Sequence, residues 1–405
     1  MRGTISNQAI ANTMQRSVSN GYYFPSSQIG YTYTPTYAPD NKKVHLITSD
    51  LWEAITGEKL SPSIICQILD KSIPMSDNQN SQIAQMAMQY VLMSQDRQGS
   101  RVLQKRIEEG NRNERSLIFN SLYPNLNQLV YDTSGNFVIQ KLCEYLTEDQ
   151  QKYMLNFFLR NIQKVIDHQN GCRVLQKFIE HTSTANIGMI FNSVKPFLLS
   201  LCFSQNGNHI VQRFIDSLPN RIPEIIECIE PRLLDLILDN CGCRVVQKLF
   251  ERCPIEQLEP IVQTVLTCPV MLAMNQYGNY VVQNILESGK REYVSALIKA
   301  FKGHFYEFSM HKFASNVIEK CIRGATKDEQ YQIFEEVIGD ENNLDEERIL
   351  RLINDQSGNY VIQRIIEYGS ESQKNIICDV VYRNYDELDG GYARHVIAKL
   401  EKFGF

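Results

Sequence analysis

A five-residue signature recurs eight times along this chain at almost constant spacing, and a period of that length leaves few folds open. The copies begin with Ser100-Arg101-Val102-Leu103-Gln104, Asn136-Phe137-Val138-Ile139-Gln140, Cys172-Arg173-Val174-Leu175-Gln176 and Asn208-His209-Ile210-Val211-Gln212. They continue with Cys243-Arg244-Val245-Val246-Gln247, Asn279-Tyr280-Val281-Val282-Gln283, Ser315-Asn316-Val317-Ile318-Glu319 and Asn359-Tyr360-Val361-Ile362-Gln363. The steps between starts are 36, 36, 36, 35, 36, 36 and 44 residues. A unit this small cannot bury its own apolar face, so neighbours must stack to make a shared core. The chain of 405 residues therefore reads as carrying one elongated repeat domain of roughly 320 residues, not the two or three ordinary domains its length suggests.

Within each unit the signature opens a helix. Apolar residues fall at offsets 2, 3, 6 and 7 from its first member, as in Val174, Leu175, Phe178 and Ile179, which makes one wide apolar stripe. The first and last signature residues are four apart and share a face beside that stripe. The middle residue points about 100° away, towards the next unit. A small residue precedes each copy (Gly99, Gly135, Gly171, Gly207, Gly242, Gly278, Ala314 and Gly358), suiting a tight junction between helices.

The polar triplets suit a flat ligand read one unit at a time. Asn with Gln offers donors and acceptors that match uracil, while Ser with Glu offers an acceptor for guanine's adjacent N1–H and N2–H donors. Cys or Ser with Gln leaves room for a purine and suits adenine. The middle positions, Arg101, Phe137, Arg173, His209, Arg244, Tyr280, Asn316 and Tyr360, all carry planar groups, seven of them large enough to stack on a base. Helices packed ~8–10 Å apart and drawn closer on a concave side approach the ~7 Å that two bases with a planar side chain between them require.

The net charge of −5 argues against a nucleic-acid binder that ignores sequence. A local basic strip is nevertheless present. The residues following the signatures are Lys105, Lys141, Lys177, Arg213, Lys248, Asn284, Lys320 and Arg364, and seven of the eight are cationic. This strip is expected to run as a basic track beside the reading face. Acids three residues behind several of these cations (Glu144, Glu180, Glu251) read as helix-surface support.

Residues 1–46 are rich in Tyr, Ser, Asn, Thr and Pro and are expected to form a mobile tail; 47–81 are expected to be a partly ordered lead-in. From residue 82 the pattern is helical throughout, with Gln82–Met93 and Ile376–Phe405 as end caps. Eight extra residues near Gly339–Glu347, the acidic run GDENNLDEE, are expected to form an exposed loop that serves protein partners if anything.

The phrases GNYVIQ, GCRVLQKFIE, NGNHIVQRFID, KFASNVIEKC and HVIAKLEK in residues 82–405 resemble the Pumilio (PUF) family of RNA-binding repeats. The resemblance implies an all-α, right-handed α-solenoid: a crescent of eight three-helix repeats with capping half-repeats, binding single-stranded RNA on its concave face with the first repeat at the RNA 3′ end. Carried over repeat by repeat, it implies that Asn359/Gln363 reads U, Ser315/Glu319 G, Asn279/Gln283 U and Cys243/Gln247 A. Asn208/Gln212 then reads U, Cys172/Gln176 A, Asn136/Gln140 U and Ser100/Gln104 A, giving 5′-UGUAUAUA-3′. Phe137 stands where the family more often has Tyr. The resemblance further implies a cytoplasmic monomer acting on the 3′ untranslated regions of mRNA, with deadenylase or translational-repressor partners on the outer surface.

Other chemistry finds little support. Eleven cysteines, several in apolar helical segments (Cys143, Cys228, Cys321, Cys378), read as reduced buried thiols. Cys241-Gly242-Cys243 lacks a second pair at metal-ligand spacing. The seven histidines form no recurring Ser/His/Asp or Glu/His grouping, and each glycine of the helix junctions stands alone where a phosphate loop would need several. No cofactor, metal, membrane span or secretory leader is expected, and the chain reads as a binding protein, not an enzyme. The alternative is an α-solenoid scaffold for proteins that has lost RNA binding.

Overall fold

The computed structural model describes residues 79–340, 343–388 and 391–404. The tail expected at 1–46 lies outside the described residues, as does the lead-in apart from residues 79–81, where a helix already begins. The chain divides into two units, Met1–Ile47, which is outside the described residues, and Thr48–Phe405, in which all described residues fall.

The signature helices are Arg97–Glu109, Gly135–Cys143, Gln169–His181, Asn208–Ser217, Gly242–Arg252, Gly278–Glu287, Ala314–Gly324 and Gly358–Tyr368. Each packs on the one before and the one after, and the series closes on Ala393–Lys402. After each comes a second helix, such as Thr184–Val194 or Arg291–Phe301, and before most of them a short one, such as Leu233–Ile237 or Phe305–Met310. The result is the expected α-solenoid. The lead cap is longer than its sequence pattern, Gln79–Gln95, and the closing cap comprises Glu371–Arg383 and Ala393–Lys402 with a 3-10 turn at Tyr385–Glu387.

Why these helices start where they do is local chemistry. A side-chain acceptor sits four residues before each signature: Asp96, Asp132, His168, Ser204, Asp239, Asn275, His311 and Asp355. Each accepts from the backbone N–H groups at the helix start, for example 2.8 and 2.6 Å to Asp132 and 2.9 and 2.7 Å to Asp96. His168 and His311 do the same through Nδ1, and Ser204 through Oγ. These caps satisfy amide donors that have no partner inside the helix. Several second helices carry full capping boxes instead, Thr147 with Gln150, Thr326 with Glu329 and Ser370 with Gln373.

The apolar stripe is buried as its spacing requires. Val174, Leu175, Phe178 and Ile179 are at most 1% exposed, and one continuous core runs from Tyr90 to Leu400. Each such side chain contributes about 1.5–3 kcal/mol relative to full exposure. Thr184–Phe203 has the length and mean hydropathy, 1.3, of a membrane span. Here it is two helices joined by a 3-10 turn at Lys195–Phe197, with Ile190, Phe191, Val194 and Leu198 buried in the stack.

Two details differ from the sequence pattern. Glu148–Asp167 is continuous except at Asn161 (φ −121°, ψ 18°), whose side chain donates to the Phe157 carbonyl at 2.8 Å and so diverts the helical ladder. The acidic insertion is shorter than the expected loop at 339–347. Gly339 pairs with Leu344 and Asp340 with Asn343 in a two-residue antiparallel ladder, Asp345 caps the next helix, and Glu346 and Glu347 already belong to it. Leu344 packs against the core, which ties the insertion down.

Candidate nucleic-acid interface

All eight signatures share one pattern of exposure. The first residue is buried, the middle one exposed and the last half-buried, without exception. The triplet therefore works in depth: the first member anchors, the last reaches the surface beside it, and the middle one stands clear.

In the four Asn copies the anchor is fully engaged. Asn136, Asn208, Asn279 and Asn359 are at most 2% exposed. Their Nδ2 groups donate to the carbonyls of the capping residues Asp132, Ser204, Asn275 and Asp355 at 2.7–2.9 Å. Their Oδ1 atoms accept from Nε2 of Gln140, Gln212, Gln283 and Gln363 at 2.8, 2.8, 2.9 and 3.1 Å. Each glutamine thus keeps one amide hydrogen and Oε1 for a ligand, held by a chain that runs back to the helix cap. A donor beside an acceptor matches a uracil edge. The sequence reading gave both amides equal parts; the structure makes Asn the support and Gln the presenting group.

The small-residue copies are built differently. Gln104 and Gln247 donate to the carbonyls of Ser100 and Cys243 one turn back, at 3.1 and 3.2 Å, while Gln176 crosses to the Asn206 carbonyl of the next repeat at 3.1 Å. Cys172 is fully buried with Sγ on the Ile166 carbonyl, and burial pushes its thiol up to about 12. Cys172 therefore offers a ligand no surface of its own; what it offers is the space a larger residue would fill. Cys243, 3% exposed, has a thiol raised by burial in the same way. Ser100 and Ser315 are equally recessed, 3% and 4% exposed. Glu319 has no buried amide behind it, and its Oε2 accepts from Arg364 Nε at 2.9 Å.

The middle residues are free to stack. Phe137, Tyr280 and Tyr360 are 45%, 50% and 50% exposed, large values for aromatic rings. Burial and the nearby Arg244 and Arg213 hold the His209 imidazole below its ordinary value, which favours the neutral ring.

The basic strip is not the open track expected from the sequence. Apart from Lys105, which meets Glu109 on its own helix at 3.7 Å, each cation reaches back to an acid on the preceding repeat: Lys141 to Glu108 (3.9 Å), Lys177 to Glu144 (3.3 Å), Arg213 to Glu180 (2.7 Å) and Lys248 to Asp216 (3.1 Å). Lys320 pairs with Glu287, Arg364 with Glu319, and Lys399 of the cap with Glu367 at 3.1 Å. Most of these acids also hold the cation of their own helix, so the row is a laced network and not a set of isolated pairs. At Glu144, burial alone would raise the carboxyl, but hydrogen bonds from Lys141 and Lys177 hold it below the usual range. Asn284 breaks the row. Opposite it Glu251 turns outward, its side chain 63% exposed against 22% for Glu144, and a cleft of ≈ 370 Å³ opens between the fifth and sixth repeats.

The capping row and the cross-repeat acids were missed by sequence reasoning, although both follow the same period as the signature. Ten cysteines among the described residues are free thiols, with Cys143 and Cys321 buried and Cys228 and Cys378 half-buried.

Comparison with known proteins places these features in context. The model of the Pumilio-family RNA binding repeat matches eight times, at 89–122, 125–156, 168–194, 198–222, 232–266, 270–300, 304–338 and 348–381. Pumilio homology domain family member 4 of Saccharomyces cerevisiae is 30% identical over 174 residues, which is 42% of this chain and 18% of that protein. The chain spans between 18% and 28% of the length of three such curated relatives. Among solved structures, the Puf3 RNA binding domain bound to the Cox17 RNA 3′ UTR recognition sequence site A superposes with a TM-score of 0.72 at 27% identity, covering 84% of this chain and 99% of that one. PUF-8 in complex with PBE-RNA gives 0.69 at 26% identity, covering 83% and 96%.

Proposed function

We propose, from the premise that the chain belongs to the Pumilio family of RNA-binding repeat proteins, that its eight triplets read single-stranded RNA of sequence 5′-UGUAUAUA-3′, one base per repeat. The observation that carries this reading is the supported Asn–Gln pair. It occurs in repeats 2, 4, 6 and 8 only, alternating with triplets that lack it. That alternation is the alternation of uracil with purine in the proposed target. Repeat 7 contributes the one carboxylate, Glu319, for the one guanine.

Each base is held between exposed planar side chains, which supply affinity without preference, while the presented Gln or Glu supplies the choice. Because the anchors are already hydrogen-bonded, little ordering is left for binding to impose. The biological reading is post-transcriptional control through 3′ untranslated regions of mRNA in the cytoplasm, with repressor or decay factors as partners. The solved neighbour bound to a 3′ UTR recognition sequence supports the first part.

The test is an equilibrium titration against UGUAUAUA and ACAAUAUA. UGUAUAUA is expected to bind at least a hundredfold more tightly, with ~1–3 kcal/mol lost at each altered base. Equal affinities would refute base reading. Since the cations are already paired with acids, the salt dependence is expected to be shallow, well below the slope of ~0.7 per phosphate for a full set of neutralised phosphates.

A further inference from the structure

The row of ion pairs follows a rule that one repeat breaks. In repeats 1, 2, 3, 4 and 6 the acid that receives the next repeat's cation stands four residues after the last triplet member: Glu108, Glu144, Glu180, Asp216 and Glu287. Repeat 8 keeps it as Glu367, received by Lys399. In repeat 7 that position is Arg323. Arg323 is exposed and forms no ion pair among the described residues. On repeat 7 the cation of repeat 8 therefore finds no acid of the row. It binds the triplet's own carboxylate instead, with Arg364 Nε on Glu319 Oε2 at 2.9 Å.

The two departures coincide in one repeat, the only one whose triplet ends in a carboxylate. We infer that Arg364 is a positioning residue for guanine selection: it holds Glu319 by one oxygen so that the other accepts from the guanine edge. This inference rests on the assignment of Glu319 to the second base of the target.

The geometry supports the role in three ways. Glu319 lacks the buried asparagine that fixes the glutamine in the uracil copies, so it needs another support, and Arg364 is the partner present. The pair is sheltered, with side chains 30% and 21% exposed, and the hydrogen bond to Glu319 keeps the guanidinium firmly protonated. Arg364 is itself tied to Glu367 on its own helix, and Glu367 to Lys399, so its head group is fixed before any ligand arrives. A charged hydrogen bond to one oxygen leaves Oε1 with no partner among the described residues, although an unsupported carboxylate would turn freely. Arg323, by bringing no acid, removes the competitor.

The experiment measures binding of UGUAUAUA, UAUAUAUA and UGCAUAUA to the full chain. In the wild type, G should exceed A at the second position. In Arg364→Met that ratio is expected to fall about tenfold, the order of one ~1.4 kcal/mol contact, while the preference for U over C at the third position, read by repeat 6, stays unchanged. Arg364→Lys, which keeps the charge, should retain most of the guanine preference. Arg323→Glu supplies the missing acid and should draw Arg364 away, lowering the same ratio; Arg323→Gln should not. A wild type that does not favour G would overturn the base assignment and this inference with it. A wild type that favours G, with the ratio intact in both Arg364→Met and Arg323→Glu, would overturn this inference alone.

Discussion

Replacing Ser315→Asn, Asn316→Tyr and Glu319→Gln together is expected to shift the preferred RNA from the proposed target UGUAUAUA to UUUAUAUA. The three changes rebuild in repeat 7 what repeats 6 and 8 already have. An asparagine at 315 follows His311 by four residues, as Asn279 follows Asn275, so its Nδ2 has a carbonyl to meet and its Oδ1 a glutamine to hold. The apolar pair Val317 and Ile318, both fully buried, is untouched, so the helix keeps its packing. The original target is expected to lose ~1–3 kcal/mol, roughly tenfold to more than a hundredfold, because guanine's two donors then face an amide with one donor committed. Competition between the two RNAs on wild type and variant decides the matter. A folded variant that still favours G would show that these side chains do not choose the base.

The second large effect is on stability and comes from a single added methyl group. At Gly242 a Cβ would lie 2.6 Å from the Leu236 carbonyl oxygen and 2.8 Å from the Leu236 Cα, both backbone atoms. Gly242→Ala gains up to ~1 kcal/mol of helix propensity, but it must push the short helix Leu233–Ile237 away from Gly242–Arg252. Overpacking of this kind typically costs about 1–3 kcal/mol, and a shift of backbone against backbone belongs at the upper end, so destabilisation should win. A midpoint lowered by several degrees in thermal unfolding is expected. Repeat 7 supplies the comparison, because Ala314 occupies the equivalent place there fully buried. An unchanged midpoint for Gly242→Ala would show that the helices separate at no cost.

Much of this arrangement was legible in the chain. The spacing of the signature specified the stacking, and the apolar stripe specified which face is buried, as Val174, Leu175, Phe178 and Ile179 show. What periodicity could not convey was depth. Asn136 and Gln140 share a helical face, yet one is 1% exposed and the other half-buried, because the neighbouring turn and not the helix itself covers the asparagine. Cys172 shows the limit more sharply: a residue placed on the reading face by its offset lies wholly beneath it. The basic strip was visible, but its neutralisation was not. Lys320 and Glu287 are 33 residues apart, a separation that means nothing within one helix and becomes a contact only once repeats are stacked. Asn161, an ordinary helix residue by pattern, breaks its helix through a side-chain bond that no spacing rule announces.

The break at Asn284 has a mechanical meaning. In a stack where every layer touches only its neighbours, strain imposed at one end is shared out in inverse proportion to the stiffness of each joint. Among the described residues every other joint between signature helices, from Lys141 on Glu108 to Lys399 on Glu367, is clasped by charge as well as by packing. The joint between repeats 5 and 6 lacks that clasp beside Gln247 and Asn284, where the cleft lies, and is held instead away from the signature helices, by Lys290 on Glu256 at 3.7 Å and by the Tyr293 hydroxyl on Glu259. Strain passed along the stack thus meets, after five divisions of the ruler, one joint whose charged clasp has moved from the reading layer to the layer behind it.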